Sequence, residues 1–551
     1  MLLIFFVIWK RGFYKMKKNW LFLSVFALLM CGCAIEENKE NTKNEDTEES
    51  KVLGTFVYNN NGDVSFTDNE FASDSADVSF DKKVTIKFDG AKEPTVSGFD
   101  GDVTLKKDET RGGGKTYLII NSSVSAEYEV SGTCEDGALL IFSEKKFKLT
   151  LNNLTLKSTN WPAINIQSGK RCFVEMKGEN SLAGAGTMNP GKNLLNPEYV
   201  EGVSAQKDKY LDCKATLFSE GELIFKGTGS LNVTGNAKHA ICSDDYVRVL
   251  SGKVNVTGAP SDGIHANDAV FIHDGEVSLT SSANGIECEK GFVYINGGKL
   301  TVKSGKTGIK TPYDEYTEAS ALAERPFIFI EKGYVNITTS TLEGDGIDSA
   351  NHLVITGGNV VINAEKAVKG LVTGSNDEST VKGDIVIAKE ASVEVNVKGA
   401  SSGAVAVKAV GGIYLHGKTL TAVASGNGGR GLCASDKIVI TGGKNEVTAA
   451  GVVLDAKEML LEEGADLLAI GSDLKVENVT AKQKYVTGGY PDISIAVGDN
   501  YEITADKKGE FKTALSNLKM LFTYKDLTEL PKVKIKGTES SDKFQLKINF
   551  N

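Results

Sequence analysis

Oxygen-bearing side chains recur in this chain at one place in a repeating unit. Asp262, Asn284, Thr307 and Asp345 each precede a Gly-Ile pair, and Asp244, Asp245, Asn267, Asp268, Glu287, Glu289 and Asp348 lie just beyond it. On stacked strands, residues one repeat apart sit about 5 Å from each other, so oxygens from two or three repeats can converge on one hard cation. Calcium takes about 6 to 8 oxygen ligands and tolerates irregular geometry. Without a cation, such carboxylates repel and raise each other's pKa. Turns also favour Asp and Asn for backbone reasons alone.

A second column runs through Arg248, Phe271 and Tyr294, flanked by inward Val and Ile. Exposed there, it forms a flat platform on which the apolar face of a sugar ring can stack. A loop or insertion covering the aromatics is the competing expectation. Trp161 is the one Trp past residue 20, so no tryptophan strip is present. Lys310, Lys369 and Lys408 each follow an Ile or Val, the place where His265, Glu287 and Asp348 also fall. Such lysines suit uronate carboxylates. As the base of a β-eliminating lyase, a Lys must be neutral, and nearby carboxylates hold its pKa up. The five His (His239, His265, His273, His352, His416) are scattered among columns, and a lone turn His is more often structural.

The elements that position these residues are short strands on a fixed period. Gly229, Gly252, Gly275 and Gly298 fall 23 residues apart, each opening an alternating run such as Gly252-Lys253-Val254-Asn255-Val256. Val247-Arg248-Val249 returns as Val270-Phe271-Ile272 and Val293-Tyr294-Ile295 in the same frame. Alternation sends Val254, Val277 and Leu300 inward and Lys253, Glu276 and Lys299 outward. No repeat buries its apolar face alone, so neighbours must stack. Three strands per repeat predict an all-β parallel β-helix, a solenoid, over residues 131–474, with β-rich caps at 53–130 and 475–551. A helix is expected near Lys512 to Phe522.

The chain has 551 residues, 59 Gly, 9 Pro and a net charge of −10. A solenoid accommodates that length without enlarging its core radius. The negative charge argues against a nucleic-acid partner. Cys134, Cys172, Cys213, Cys242, Cys288 and Cys433 form no C-x-x-C pair and read as packing thiols.

Lys17-Lys18 followed by the apolar run Trp20 to Met30 and Cys31-Gly32-Cys33 reads as a signal peptide over residues 1–33, with Met16 the expected true start. It resembles a bacterial lipoprotein signal, which implies lipidation of Cys33. Residues 34–52 are acidic and almost free of apolar side chains, a disordered tether. Acids soon after the lipidated Cys resemble the surface-export signal of Bacteroidetes-type lipoproteins, implying a lipid-anchored outer-membrane or cell-surface protein.

The motifs Lys238-His239-Ala240-Ile241-Cys242-Ser243-Asp244-Asp245, Ser261-Asp262-Gly263-Ile264-His265-Ala266, Asn284-Gly285-Ile286-Glu287 and Gly344-Asp345-Gly346-Ile347-Asp348 resemble secreted bacterial carbohydrate-binding β-helix proteins of the clostridial cellulose- and pectin-binding type. That resemblance implies a right-handed parallel β-helix like that of polysaccharide lyases, and binding of acidic or cellulosic polysaccharide without catalysis. It also implies calcium at Asp244, Asp245, Asp262, Asn267, Asp268, Asp345 and Asp348. Asn284 and Thr307 depart from a fuller acidic column. With the column of Arg248, Phe271 and Tyr294, Lys310 and Lys369 complete the expected ligand-binding residues. The rival expectations are a calcium-dependent pectate-type lyase and a structural adhesin.

Overall fold

The computed structural model describes residues 53–108, 114–159, 161–184, 194–198, 210–312, 326–366, 368–374, 383–399, 403–490, 502–505, 509–512, 518–525, 527, 533–535 and 545–549. The signal segment, the tether, Cys33 and residues 313–325 lie outside them. Residues from Leu53 onward belong to one compact unit. It is all-β apart from the short helix Phe71–Ser75, and no described helix is long and apolar enough to cross a membrane.

Most strands fall into three parallel ladders, in which a strand pairs with its equivalents one repeat before and one after. The first ladder contains His239–Ser243, Ile264–Ala266, Ile286–Cys288, Ile309–Thr311, Asp345–Ser349 and Lys369–Thr373. The second contains Tyr246–Val249, Ala269–Ile272 and the first part of Phe292–Ser304. The third contains Lys253–Gly258, Glu276–Ser281 and the later part of Phe292–Ser304. Inward columns such as Val254, Val277, Leu300, Val335 and Val360 are fully buried and merge into one continuous core. Outward, Glu276 receives Lys299 at 2.8 Å and faces Lys253 at 3.7 Å, the expected surface charge ladder.

Glycine is required at the bend into the third ladder. Gly275 has φ of 83°, and a Cβ there would stand 2.4 Å from the carbonyl oxygen of Gly252 one rung below. The Gly-Ile glycines serve a different need, since a Cβ on Gly285 would meet Val302 Cγ1 at 2.2 Å inside the core.

Parallel pairing starts earlier than the sequence suggests. Lys82–Asp89 already pairs in parallel with Ala126–Cys134, and Tyr117–Ser122 with Ala138–Ser143, so 53–130 includes ladder strands. Antiparallel strands appear where the ladders stop, namely Thr95–Ser97 and Val103–Lys107 at one end. At the other, Leu518–Thr523 and Gln545–Asn549 do the same. Gly509–Lys512 and Leu518–Thr523 are strands, so the expected helix is absent from the described part of that stretch. Met520, Leu521, Phe522 and Thr523 are all buried, as in a strand covered on both faces.

Residues 53–80 take a different course. The antiparallel pair Gly54–Val57 and Ser65–Asp68 and the helix Phe71–Ser75 lie along the outside of the second ladder. Phe56 stacks on Phe327 at 4.1 Å, Tyr58 on His352 at 4.3 Å, and Asn60 donates to the Tyr414 hydroxyl at 3.1 Å. The six cysteines from Cys134 to Cys433 are all free thiols.

Candidate functional site: a polar groove on the first ladder

The bend entering the first ladder carries the column His239, Asp262, Asn284, Thr307 and Asp345. The backbone N–H of Asn284 donates to Oδ1 of Asp262 at 2.9 Å, that of Thr307 to Oδ1 of Asn284 at 3.2 Å, and that of Asp345 to Oγ1 of Thr307 at 3.3 Å. Each short side chain therefore accepts the N–H one rung on, a role that Asp, Asn and Thr share because each has an acceptor oxygen near its own backbone. The recurrence of these residue types is a backbone device here, which also explains why Asn284 and Thr307 fit the column as well as Asp.

Beside this column runs an outward one, Cys242, His265, Glu287, Lys310 and Asp348 in register. Between and around them opens a groove of about 580 Å³, lined by Lys214, Lys238, His239, Asp262, His265, Asn284, Glu287, Glu289, Lys306, Lys310 and Glu343. Burial and the charge of Asp262 push the Glu287 carboxyl above its ordinary pKa, against the opposing pull of His265 and Lys310, and Asn284 Nδ2 donates to it. Asp262 goes the other way. Burial would raise it, but hydrogen bonds from His239 and His265 outweigh burial and hold it well below the usual carboxylate range. Burial pushes His239 down to about 4 although Asp262 opposes it. Perturbed groups gathered in a concave polar site mark a functional candidate.

The expected calcium ligands do not come together as one oxygen cage. Asp262 faces two imidazoles. Both oxygens of Asp244 accept from Lys214 Nζ at 2.9 Å, and Lys214 also reaches Asp212 at 2.8 Å. Burial would lower Lys214, yet these two carboxylates raise it. Asp345 is paired with Lys369 at 3.2 Å, and burial still pushes its pKa up. Asp245, Asn267 and Asp268 lie half-buried at the bend between first and second ladders, where the Asp268 N–H donates to the Asp245 carbonyl at 3.0 Å. Asp348 is buried in register with Lys310.

Lys369 is also shifted in register. Leu371 pairs with Ile347, so Lys369 stands opposite Asp345, while Val372 occupies the Lys310 column and Lys408 pairs with Val372. The Val368-Lys369 dipeptide mimics the motif, but Gly370-Leu371 is its true counterpart because Leu371 fills the inward column. Lys310 lines the groove; Lys369 does not.

The platform of Arg248, Phe271 and Tyr294 is in register but closed to solvent, at 0%, 0% and 4% exposure. The Arg248 guanidinium lies 3.8 Å from the Phe271 ring centroid, with Nη2 3.0 Å from Asp68 and Nε 2.7 Å from Asp74. Phe66 covers Tyr294 at 4.5 Å. Residues 53–80 thus occupy the surface that a sugar was expected to use. Nothing local announces this pairing, since Asp68 and Asp74 lie more than 170 residues from Arg248. The histidines had a signal that the column-by-column reading passed over: His239 stands one 23-residue period before Asp262, and His265 three residues after it.

No curated protein matches this chain. Among solved structures, a polysaccharide lyase-like protein from C. thermocellum, solved as a gadolinium derivative, is similar at 21% identity over 56% of this chain and 96% of that one, with a TM-score of 0.33. Residues 114–323, which hold the groove from Lys214 to Lys310, match a family model described as carbohydrate-binding domain-containing protein.

Proposed function

We propose that this chain binds polysaccharide, acidic or cellulosic, along the first-ladder groove without turning it over, and that its three ladders wind as a right-handed parallel β-helix. The observation that carries the reading is the coincidence of the carbohydrate-binding match, residues 114–323, with the polar groove. Lys214, Lys238, Lys306 and Lys310 offer ammonium donors to uronate carboxylates or hydroxyls, while Glu287, Glu289 and Glu343 accept from hydroxyls. Lipidation at Cys33 anchors the chain at the bacterial outer membrane or cell surface; labelling by a fatty-acid probe that Cys33→Ala leaves intact would overturn that part.

Calcium enters this reading at the one all-oxygen group among the described residues, Asp212, Glu220 and Asp244, where the ion competes with the Lys214 ammonium. A rise in melting temperature on adding calcium, lost in Asp244→Asn, supports it, and identical melting in calcium and chelator excludes it.

The deciding experiment measures binding and turnover on polygalacturonate and cellulose with and without chelator. We expect binding without release of unsaturated products, weakened roughly 10-fold by Lys310→Ala, the size of one lost charge-assisted contact. Ultraviolet-absorbing unsaturated products would instead establish a lyase. A glycan array without binding would favour an adhesin that contacts protein.

A further inference from the structure

We propose that His239, Asp262 and His265 form a binding site for a divalent transition-metal ion of the zinc class at the floor of the groove. One donor atom from each of the three lies within 4.8 Å of the others. Asp262 Oδ2 stands 3.0 Å from Nδ1 of His239 and 3.3 Å from Nδ1 of His265. Ligand atoms around a tetrahedral ion with bonds of about 2.0 to 2.1 Å are separated by roughly 3.3 Å, so these edges already have the size that such an ion needs.

The donors are held for the purpose. The two imidazoles come from neighbouring rungs and stack at 4.3 Å between centroids, 27° from parallel. Asp262 is fixed by its other oxygen, Oδ1, which accepts the Asn284 N–H at 2.9 Å, the kind of outer contact that orients a metal-binding carboxylate. Both histidines are more than nine-tenths buried, at 3% and 8% exposure.

The nitrogen of His239 that faces Asp262 is Nδ1; its Nε2, across the ring, is buried without a hydrogen-bond partner among the described residues. Two nitrogens and one carboxylate oxygen suit zinc, and calcium prefers an all-oxygen set. Glu289 Oε2, half-exposed, stands 3.4 Å from Nε2 of His265, the nitrogen away from Asp262, where it orients the ring, and a water from the groove completes four-coordination.

The test uses the full chain, stripped with chelator and titrated with Zn2+ by calorimetry and with Co2+ by absorbance. We expect one ion per chain, intense visible bands of tetrahedral Co2+, and no displacement by excess Ca2+. His239→Ala and His265→Ala should each abolish the Co2+ bands while circular dichroism remains that of the parent. Asp345→Asn, in the same column but away from the cluster, should retain them. Absence of zinc heat and of Co2+ bands in the parent chain would overturn the site. So would metal binding that survives both histidine variants, or Co2+ spectra of a six-coordinate, all-oxygen ion.

Discussion

Asn284 shows how one side chain can serve both the fold and the groove. Its Oδ1 accepts the buried Thr307 N–H and its Nδ2 donates to Glu287. Asn284→Ala leaves that N–H unpaired in the interior and should destabilise the chain by about 1 to 3 kcal/mol. Asn284→Thr restores an acceptor of the kind that Thr307 already provides, so urea denaturation should recover part of the loss. Equal midpoints for the Ala variant and the parent would show that the column hydrogen bond contributes nothing. The oxygen-bearing residues of this column were visible in the sequence, but their purpose was not. An Asp that holds a backbone N–H and an Asp that holds a cation have the same letter and the same spacing, and only the position of the neighbouring N–H separates them.

At the scale of elements, the segment 53–80 is tied down by buried charge. Asp74 accepts from the Tyr246 hydroxyl at 2.8 Å and pairs with Arg248 at 2.7 Å and Arg171 at 3.0 Å. Removing one partner of a buried ion pair strands the other and costs about 3 to 5 kcal/mol. Asp74→Asn should therefore loosen this segment first, seen as faster amide exchange over residues 54–76 with no change in the third-ladder strands Asn359–Ala364 and Ser392–Val397. Uniformly faster exchange would mean that the segment and ladders open as one unit. The ladder strands themselves were legible, because a 23-residue period combined with strict alternation leaves one register that buries Val254, Val277 and Leu300 together. Register became ambiguous where the period broke. Further along the chain, Val368-Lys369 imitates the motif, and only the inward column, read through Leu371, decides between the two alignments.

For the whole molecule, stacking distributes stability along the axis, and its pH dependence follows from what the core contains. Burial pushes the thiols of Cys172 and Cys242 up and that of Cys433 to about 12. An unfolded thiol ionises near pH 8.5, so between that value and 12 the unfolded chain releases a proton that the folded chain keeps. The stabilisation is complete below pH 8.5 and is lost as pH rises, by about 2 kcal/mol for Cys433 at pH 10. Urea midpoints at pH 8 and 10 should fall less for Cys433→Ala than for the parent; parallel falls would remove Cys433 from the account. The all-β class and the repeat were legible because they are written in every rung. The cover over Arg248, Phe271 and Tyr294 was not, since an outward aromatic column has the same pattern whether water or another part of the chain lies above it.

The antiparallel strands at the two ends of the ladders bear on how copies of this chain behave toward each other. A parallel ladder left bare presents N–H and C=O groups in the register that its own next rung would use, and another copy supplies such a rung. Thr95–Ser97 and Val103–Lys107 at one end, and Leu518–Thr523 and Gln545–Asn549 at the other, reverse the strand direction. A reversed strand offers the wrong template for another parallel rung. At the third ladder the polarity reversal thus works as a stop against one more parallel rung, whereas Asp473–Ala481, the last rung of the first two ladders, pairs in parallel with Val452–Leu461 and has no reversed strand beside it among the described residues.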